Sequence, residues 1–215
     1  MKNIALSLTA LCLATPLLHA DDVALMTLSP GKGKPLVTVA MEFFESDAPE
    51  HSANFKKLAR KSFYKGTAIH RAFPHTLLQF GDPMTRSSDR AKVGTGGPGY
   101  TIAPEIHHKH TKGSIAAARL PDKINPARVS NGSQFYVCID SQPSFDGQYT
   151  VFGQVLYGLD ALDALSEKAV DTNDYPLERI EVKSIKIMPR EVLPPAPDLT
   201  KTAAKVKTKH WWQIF

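Results

Sequence analysis

The sequence predicts a mainly β domain, folded as a closed barrel or a sandwich. Short apolar runs bounded by Gly, Pro, Asn and Asp recur between residues 36 and 187, which is typical of many short strands joined by turns. Only two segments show the apolar spacing of an amphipathic helix. The hydrophobic content of 42% and the charged content of 22% exclude a disordered or fibrous chain. The 215 residues allow one domain with short appendages.

The first 20 residues are predicted to be a secretory signal peptide. Lys2 provides the positive start, residues 4–18 are mostly apolar, and Ala20 is a small residue suited to cleavage. The apolar stretch is shorter than the roughly 20 residues of a membrane-spanning helix, so we expect no stable membrane insertion. An uncleaved anchor and a lipid attached at Cys12 are the alternatives. Cleavage would leave Cys138 as the one cysteine, which we interpret as a buried apolar residue. The expected location is secreted, in a bacterial periplasm.

The first elements of the domain follow from residues 21–60. Residues 21–33 are predicted to be an exposed lead-in that precedes the domain. Apolar and polar residues alternate over residues 36–43, which predicts a half-buried strand. Residues 47–60 start with Asp, Pro and Glu and continue with apolar residues at helical spacing, which predicts a helix.

The remaining elements are six short strands and a second helix, which is predicted for residues 159–167. The domain extends over residues 34–188, and the strand pattern ends there. Residues 189–215 are rich in Pro and Lys and are predicted to be a tail outside the domain, either solvated or in contact with an anionic surface or a partner. The six strands correspond to residues 68–73, 77–80, 113–118, 135–139, 151–156 and 180–187.

Two motifs are more typical of loops than of ligand sites. Residues 94–99 match G-x-G-x-x-G, but no buried strand precedes them and no helix follows, so a dinucleotide site is rejected. His107, His108 and His110 are close in sequence, yet neighbours on an extended segment point to opposite faces, and no Cys or carboxylate completes a metal-ligand set. We therefore expect no metal and no cofactor. The net charge of +5 is too diffuse to indicate nucleic-acid binding. We also expect the protein to be a monomer.

Two long polar side chains, Arg71 and Gln79, lie within predominantly apolar runs. On a half-buried strand, such side chains require hydrogen-bond partners or a functional cleft. A structural arginine exposed at the end of a strand explains Arg71 equally well. The residues by themselves leave both interpretations open.

Several short motifs follow one another along residues 34–188. They are Ile69-His70-Arg71 with Pro74, Gln79 and Gly81-Asp82, the glycine-rich loop at 94–100, Asn131-Gly132-Ser133-Gln134-Phe135-Tyr136, and Phe145-Asp146-Gly147 with Val151-Phe152-Gly153. In kind and order these motifs resemble the cyclophilin family of peptidyl-prolyl cis/trans isomerases, in its bacterial, secreted form. The resemblance implies a closed eight-stranded antiparallel β-barrel capped by two α-helices. It also implies an enzyme that rotates X–Pro bonds in secreted proteins and assists their folding, with proline-containing polypeptides as its partners.

The resemblance also implies roles for individual residues. Arg71 matches the catalytic arginine, and Gln79 matches the glutamine that holds both this arginine and the substrate backbone. The other matching positions are implied to bind substrate, in the proline pocket, on the backbone-pairing segment or beside them. They are His70, Leu77, Ala118, Arg119, Gln134, Phe135, Tyr136, Phe145 and Tyr149.

Three residues depart from the family pattern. Thr76 stands where the family usually has a pocket Phe, Ser144 stands where some members have a Trp that contacts cyclosporin, and Ile69 replaces a Phe. These departures predict a wider, more polar pocket and weak cyclosporin sensitivity. A catalytically weak proline-peptide-binding or chaperone module is therefore the alternative function. Residues 120–129 look longer than in the shortest members and are expected to reshape the groove.

Overall fold

The computed structural model describes residues 22–87 and 89–197, which form eight β-strands and two α-helices. The predicted signal peptide and residues 198–215 of the predicted tail lie outside the described residues. The helices are α1 (Pro49–Arg60) and α2 (Leu159–Ser166). The strands are β1 (Asp22–Ser29), β2 (Val37–Phe43), β3 (Arg71–Phe73), β4 (Leu77–Phe80), β5 (Ser114–Ala117), β6 (Phe135–Cys138), β7 (Val151–Tyr157) and β8 (Glu181–Pro189).

All eight strands form one antiparallel sheet in the order β3-β4-β6-β5-β7-β2-β1-β8. The register shifts between β1 and β8, between β2 and β7 and between β5 and β7, and such irregularities bend and twist a sheet. The sheet curls into a half-barrel whose outer strands, β3 and β8, approach at the bridge between Ala68 and Glu181. The prediction of eight antiparallel strands with two helices is confirmed, whereas a closed barrel is not shown.

The hydrophobic core lies inside the curl, where both helices cover it. Successive side chains of a strand point to opposite faces, so alternate residues face inward. From α1, Phe55 and Leu58 are buried against the sheet, and α2 contributes Leu162 and Leu165. Aromatic rings meet at the centre of this core, with centroid separations of 5.0 to 5.7 Å among Phe55, Tyr64, Phe80, Phe135 and Phe152.

The opposite face of the sheet carries a second, smaller apolar group. Adjacent residues of β6 separate the two: Phe135 packs in the core, and Tyr136 faces outward. Tyr136 is accompanied there by Leu77 of β4 and Ala116 of β5. Cys138 also belongs to this group and is a buried free thiol, as predicted. This sheet therefore has an apolar surface on its outer face as well, which is where a cleft forms.

The predicted lead-in at residues 21–33 is wrong for residues 22–29, which form β1 between β2 and β8. Val23, Ala24, Met26 and Leu28 are completely buried there. A strand that has neighbours on both sides and is mostly buried has a nearly continuous apolar sequence. Such a run lacks the polar alternation that reveals a half-exposed strand. The sheet therefore includes residues 22–29, which precede the predicted boundary at residue 34.

The last strand of the described residues ends one residue after the predicted boundary at residue 188. Strand β8 ends at Pro189, which is paired with Asp22 of β1. A single 3-10 turn follows, and its Arg190 donates a hydrogen bond to the carboxylate of Glu42. Among residues 22–87 and 89–197, neither helix has the length and apolar character needed to cross a membrane.

Candidate active site

A cleft of about 270 Å³ opens on the outer face of the sheet, above β3, β4 and β6. The segment that follows β6, including residues 143–149, forms its rim. Apolar and aromatic side chains make up most of the lining, with a guanidinium and an amide among them. The lining residues are Arg71, Phe73, Thr76, Leu77, Gln79, Ala118, Arg119, Tyr136, Phe145 and Tyr149.

Arg71 is held in this cleft by its partner on the neighbouring strand. Arg71 and Gln79 are directly opposite each other in the β3–β4 ladder, and Arg71 Nη1 lies 3.4 Å from Gln79 Oε1. The guanidinium carbon lies 4.9 Å from the centroid of the Phe73 ring, a favourable cation–π distance. Asp174 Oδ2 is 3.9 Å from Arg71 Nη2, which is too far for a hydrogen bond. Since a guanidinium has five N–H donors, Arg71 keeps donors that can reach a bound molecule.

Gln79 is itself fixed by the buried side chain of Gln134. Gln79 Nε2 donates to Gln134 Oε1 at 2.9 Å, and Gln134 Nε2 donates to the carbonyls of Gly94 at 3.0 Å and Gly96 at 2.8 Å. His70 Nε2 is 3.2 Å from the same Gln134 oxygen. Burial lowers the pKa of His70, which favours the neutral imidazole. The glycine-rich loop that resembles a dinucleotide motif thus supports the amides behind Arg71.

An aromatic wall closes the far side of the cleft. The rings of Tyr136, Phe145 and Tyr149 meet at centroid distances of 5.3 to 6.0 Å. Behind this wall, His110 Nε2 lies 3.0 Å from the Tyr136 hydroxyl, and His110 Nδ1 lies 3.1 Å from Asp146 Oδ1. Burial raises the pKa of Tyr136 far above its ordinary value and lowers the pKa of His110. The tyrosine hydroxyl therefore donates to a neutral imidazole, and the wall carries no charge.

Arg119 is a structural part of the cleft edge. Its guanidinium is buried, lies 2.6 Å from Asp122 Oδ1 and is 4.6 Å from the centroid of the Tyr149 ring. Its Nε donates to the carbonyl of Gln148 at 2.9 Å. Within the described part of the chain, the backbone N–H and C=O of Arg119 have no hydrogen-bond partner. The peptide groups of Arg119 can therefore pair with an extended backbone that lies along the cleft.

The structure brings most of the predicted site residues together and excludes one of them. The cleft is lined by Arg71, Gln79, Leu77, Ala118, Arg119, Tyr136, Phe145 and Tyr149. His70 and Gln134 lie behind the cleft and support Gln79, so they do not contact its open space. Phe135 was predicted to bind substrate, and this is wrong: alternation along β6 turns its ring into the core, where it stacks on Phe80. Phe73 was missed, since an aromatic residue in a strand gives no distinctive sequence signal. His110 was considered only as part of a metal-ligand set and not as a support of the cleft.

Two histidines outside the cleft have structural roles. His51 Nε2 is 2.8 Å from the Ser130 hydroxyl, and His51 Nδ1 is 2.6 Å from Glu105 Oε2. This set has the connectivity of a serine-hydrolase triad, but Ser130 is buried beside a cavity of only about 20 Å³, so no substrate can reach it. His108 bonds Asp47 at 2.8 Å. The three neighbouring histidines at residues 107–110 are therefore not assembled into a metal site.

The fold and the cleft define the class of protein. The pocket is apolar and can accept a ring-shaped side chain. Unpaired peptide groups at its edge can hold an extended backbone, and the permanent cation of Arg71 lies over the pocket. The chemistry available to such a site is noncovalent, through hydrogen bonds to a bound peptide. Residues 27–187 match the model of the family described as cyclophilin type peptidyl-prolyl cis-trans isomerase/CLD. The chain belongs to this family, and its activity is peptidyl-prolyl cis-trans isomerisation.

Bacterial relatives agree with this assignment. The chain is 40% identical over 118 residues to a peptidyl-prolyl cis-trans isomerase of Synechococcus elongatus, covering 54% of this chain and 72% of the relative. It is 36% identical over 149 residues to a peptidyl-prolyl cis-trans isomerase of Helicobacter pylori, covering 67% of this chain and 81% of the relative.

A solved structure supports the fold. A cyclophilin type peptidyl-prolyl cis-trans isomerase of Cryptosporidium parvum superimposes with a TM-score of 0.67 at 26% identity, covering 81% of this chain and 99% of that one. A crystal structure described by the same protein name, in the presence of the dipeptide Ala-Pro, gives a TM-score of 0.64 at 26% identity, covering 77% and 98%.

Proposed function

We propose that the cleft rotates X–Pro peptide bonds with Arg71 as its principal catalytic residue and Gln79 as its partner. One observation carries this proposal: the Arg71 guanidinium lies over an apolar pocket, fixed from the adjacent strand by Gln79 and without an ion pair shorter than 3.9 Å. The cation thus has a defined position and free donors.

The reaction consists of twisting one amide bond. Amide resonance gives this rotation a barrier of about 18–20 kcal/mol, and the uncatalysed exchange takes tens to hundreds of seconds, on the order of a minute. In the twisted state the prolyl nitrogen becomes pyramidal and gains a lone pair. An N–H of Arg71 donates a hydrogen bond to that lone pair, and this bond is absent when the amide is planar. An interaction made only in the twisted state lowers the barrier, and about 7 kcal/mol corresponds to roughly 10⁵-fold acceleration.

The rest of the cleft holds the substrate while the bond turns. The proline ring lies against Leu77, Tyr136 and Phe145, where burial excludes water. The Gln79 amide and the backbone groups of Arg119 hold the peptide on the other side of the bond. The Ala-Pro dipeptide in the Cryptosporidium parvum crystals supports proline-containing peptides as the substrate class.

The test is turnover of a short Ala-Pro peptide by residues 21–215, compared with the variants Arg71→Ala and Arg71→Lys. Arg60→Ala is the matched control, because Arg60 is also half-exposed but pairs with Asp22 outside the cleft. We expect both Arg71 variants to remain folded by circular dichroism and to lose most activity, and the Arg60 variant to keep it. Normal turnover by a folded Arg71→Ala protein would refute the catalytic role.

A peptide-binding or chaperone module with little turnover is the second candidate, and Thr76 favours it. Thr76 lines the cleft with a small hydroxyl side chain where a larger apolar one would grip the ring more tightly. Peptide binding without acceleration by the folded wild-type protein would support this candidate over the first.

The proposed setting is a bacterial periplasm, where the enzyme acts as a monomer on secreted proteins whose slow X–Pro steps delay folding. The support is the signal-like sequence of residues 1–20. Expression of the full chain in a Gram-negative host, followed by fractionation and N-terminal sequencing, tests the location. Recovery from the cytoplasm with residue 1 intact would contradict it, and gel filtration at micromolar concentration tests the monomer.

A further inference from the structure

Three potential metal ligands converge beside the cleft, on a surface that the catalytic proposal does not use. They are His75, in the turn between β3 and β4, and Asp163 and Glu167 on α2 and at its C-terminal end. His75 Nδ1 is 2.8 Å from Asp163 Oδ1, and His75 Nε2 is 3.8 Å from Glu167 Oε1. One ligand atom from each residue can be chosen so that all three lie within 4.8 Å of one another.

Helix α2 and the turn between β3 and β4 together bring these three side chains close to one another. Residues four apart on a helix lie on the same face, so Asp163 and Glu167 present their carboxylates side by side. The backbone N–H of His75 donates to Ser166 Oγ at 3.0 Å, which ties the turn to α2. This hydrogen bond positions the backbone of His75 beside α2, so the imidazole lies near both carboxylates.

The charges of this cluster favour binding of a cation. Among the described residues, neither Asp163 nor Glu167 has a Lys or Arg within 4.0 Å, and their shared partner is His75. Asp163 faces Nδ1 of this imidazole and Glu167 faces Nε2. Glu178 is placed differently, because both Lys34 and Lys168 bond its carboxylate.

We propose that His75, Asp163 and Glu167 bind a divalent transition-metal ion of the zinc class. One imidazole nitrogen and one oxygen from each carboxylate provide three ligands, and water completes the coordination shell. Bonds to zinc of about 2.0–2.2 Å set tetrahedral donor atoms roughly 3.4 Å apart. The donor atoms therefore have to shift by a fraction of an ångström, because His75 and Asp163 lie closer than this and Glu167 lies farther away. All three side chains are at least 39% exposed and are free to make this small movement. An imidazole ligand favours zinc, cobalt or nickel over magnesium and calcium.

A metal ion bound at this position would affect the cleft. The turn that carries His75 lies between Phe73 and Thr76, which both line the cleft. A bound ion would tie this turn to α2 and fix the edge of the proline pocket. This second step depends on the proposed function, whereas the binding itself does not.

The experiment is a calorimetric titration of untagged residues 21–215 with ZnCl₂, repeated with MgCl₂ and CaCl₂. We expect one zinc ion to bind, with affinity reduced about tenfold or more in His75→Ala and in Asp163→Asn/Glu167→Gln. Zinc should also raise the melting temperature of the wild-type protein and not that of these variants. His108→Ala is the matched control, because His108 pairs with the single carboxylate of Asp47 and should bind zinc like the wild type.

The outcomes separate this inference from the catalytic one. Equal zinc binding by wild type and His75→Ala, or a loss of binding in His108→Ala, would overturn the site. Tighter binding of calcium than of zinc would also overturn it, since the ligand set would then be acting as a simple acidic cluster. Calorimetry reports these results whether or not the protein turns over a prolyl peptide. A change in KM for an Ala-Pro peptide on adding zinc, absent in His75→Ala, would establish the link to the cleft.

Discussion

Replacing Gln134 by Met tests whether the hydrogen-bonded amides behind the cleft position Arg71. Methionine has a similar length and volume, so the substitution removes the amide and leaves the packing nearly unchanged. Gln134 is 4% exposed and bonds the carbonyls of Gly94 and Gly96, Gln79 Nε2 and His70 Nε2. All four of these groups lose their partner in the variant.

The expected cost follows from which of these groups are buried. The bonds to Gly96 and His70 are fully buried, and those to Gly94 and Gln79 are partly buried. A buried polar group left without a partner costs about 1–3 kcal/mol. The two buried groups therefore give a loss of about 2–6 kcal/mol, because water can reach the other two. Once unanchored, Gln79 no longer fixes Arg71, and a loss of about 1.4 kcal/mol at the transition state lowers kcat/KM about tenfold.

Urea unfolding measures the stability change, and turnover of an Ala-Pro peptide below saturation measures kcat/KM. Gln142→Met is the control, because Gln142 is a surface residue whose amide bonds only the Asp140 carbonyl. That control should lose less than about 0.5 kcal/mol and no activity. A folded Gln134→Met protein with wild-type kcat/KM would refute the idea that this network positions Arg71. Unchanged stability would show that the four bonds are replaced by water.

Three further predictions concern the pocket, the buried histidines and the thiol. Thr76→Phe should add roughly 50 Å² of apolar contact to the proline ring, which at about 25 cal/mol per Å² lowers KM for Ala-Pro peptides about eightfold; an unchanged or higher KM would mean that the ring does not touch this position. Burial lowers the pKa of His51, His70 and His110, so the unfolded chain binds more protons below its ordinary histidine pKa of about 6.5. Their contribution to stability is fully present above that pH and is lost as the pH falls through the lower folded pKa values, so the urea midpoint should drop as the pH falls below about 6.5; a constant midpoint would contradict this. Burial raises the pKa of Cys138 to about 12, so Ellman's reagent should label it in urea and not in the native protein.

The strand and helix pattern of the domain was largely readable from sequence, because turn residues bound most of its short apolar runs and each helix has an exposed face. Alternation revealed β2, and helical spacing with a terminal Pro revealed α1. Strand β1, which lies between β2 and β8, was missed because its sequence gives an apolar run without polar alternation. The extent of closure of the sheet depends on how its two outer strands meet, and no local pattern encodes that.

The motifs predicted which residue types form the candidate site. They did not predict to which face of the sheet each side chain points, because the strand register determines that. Arg71 and Gln79 are paired across β3 and β4, as polar residues within apolar runs suggested. The assignment of Phe135 failed, because one position along a strand reverses the face to which a side chain points. The cluster of His75 with Asp163 and Glu167 joins segments far apart in sequence. No spacing rule connects a turn in the first half of the chain with a helix in the second.

Because β1 pairs with β8, the sheet of this protein cannot be completed before its last strand is available. Strand β1 lies between β2 and β8, and Asp22 is opposite Pro189 at the end of that ladder. A chain emerging from the ribosome can make the β1–β2 hairpin early, but β1 keeps one open edge until β8 has been synthesised. Such distant pairing slows folding, and an open strand edge invites association with other chains. Folding of this isomerase therefore depends on β8, its last strand, and on keeping the open edge of β1 from pairing with other chains until β8 is present.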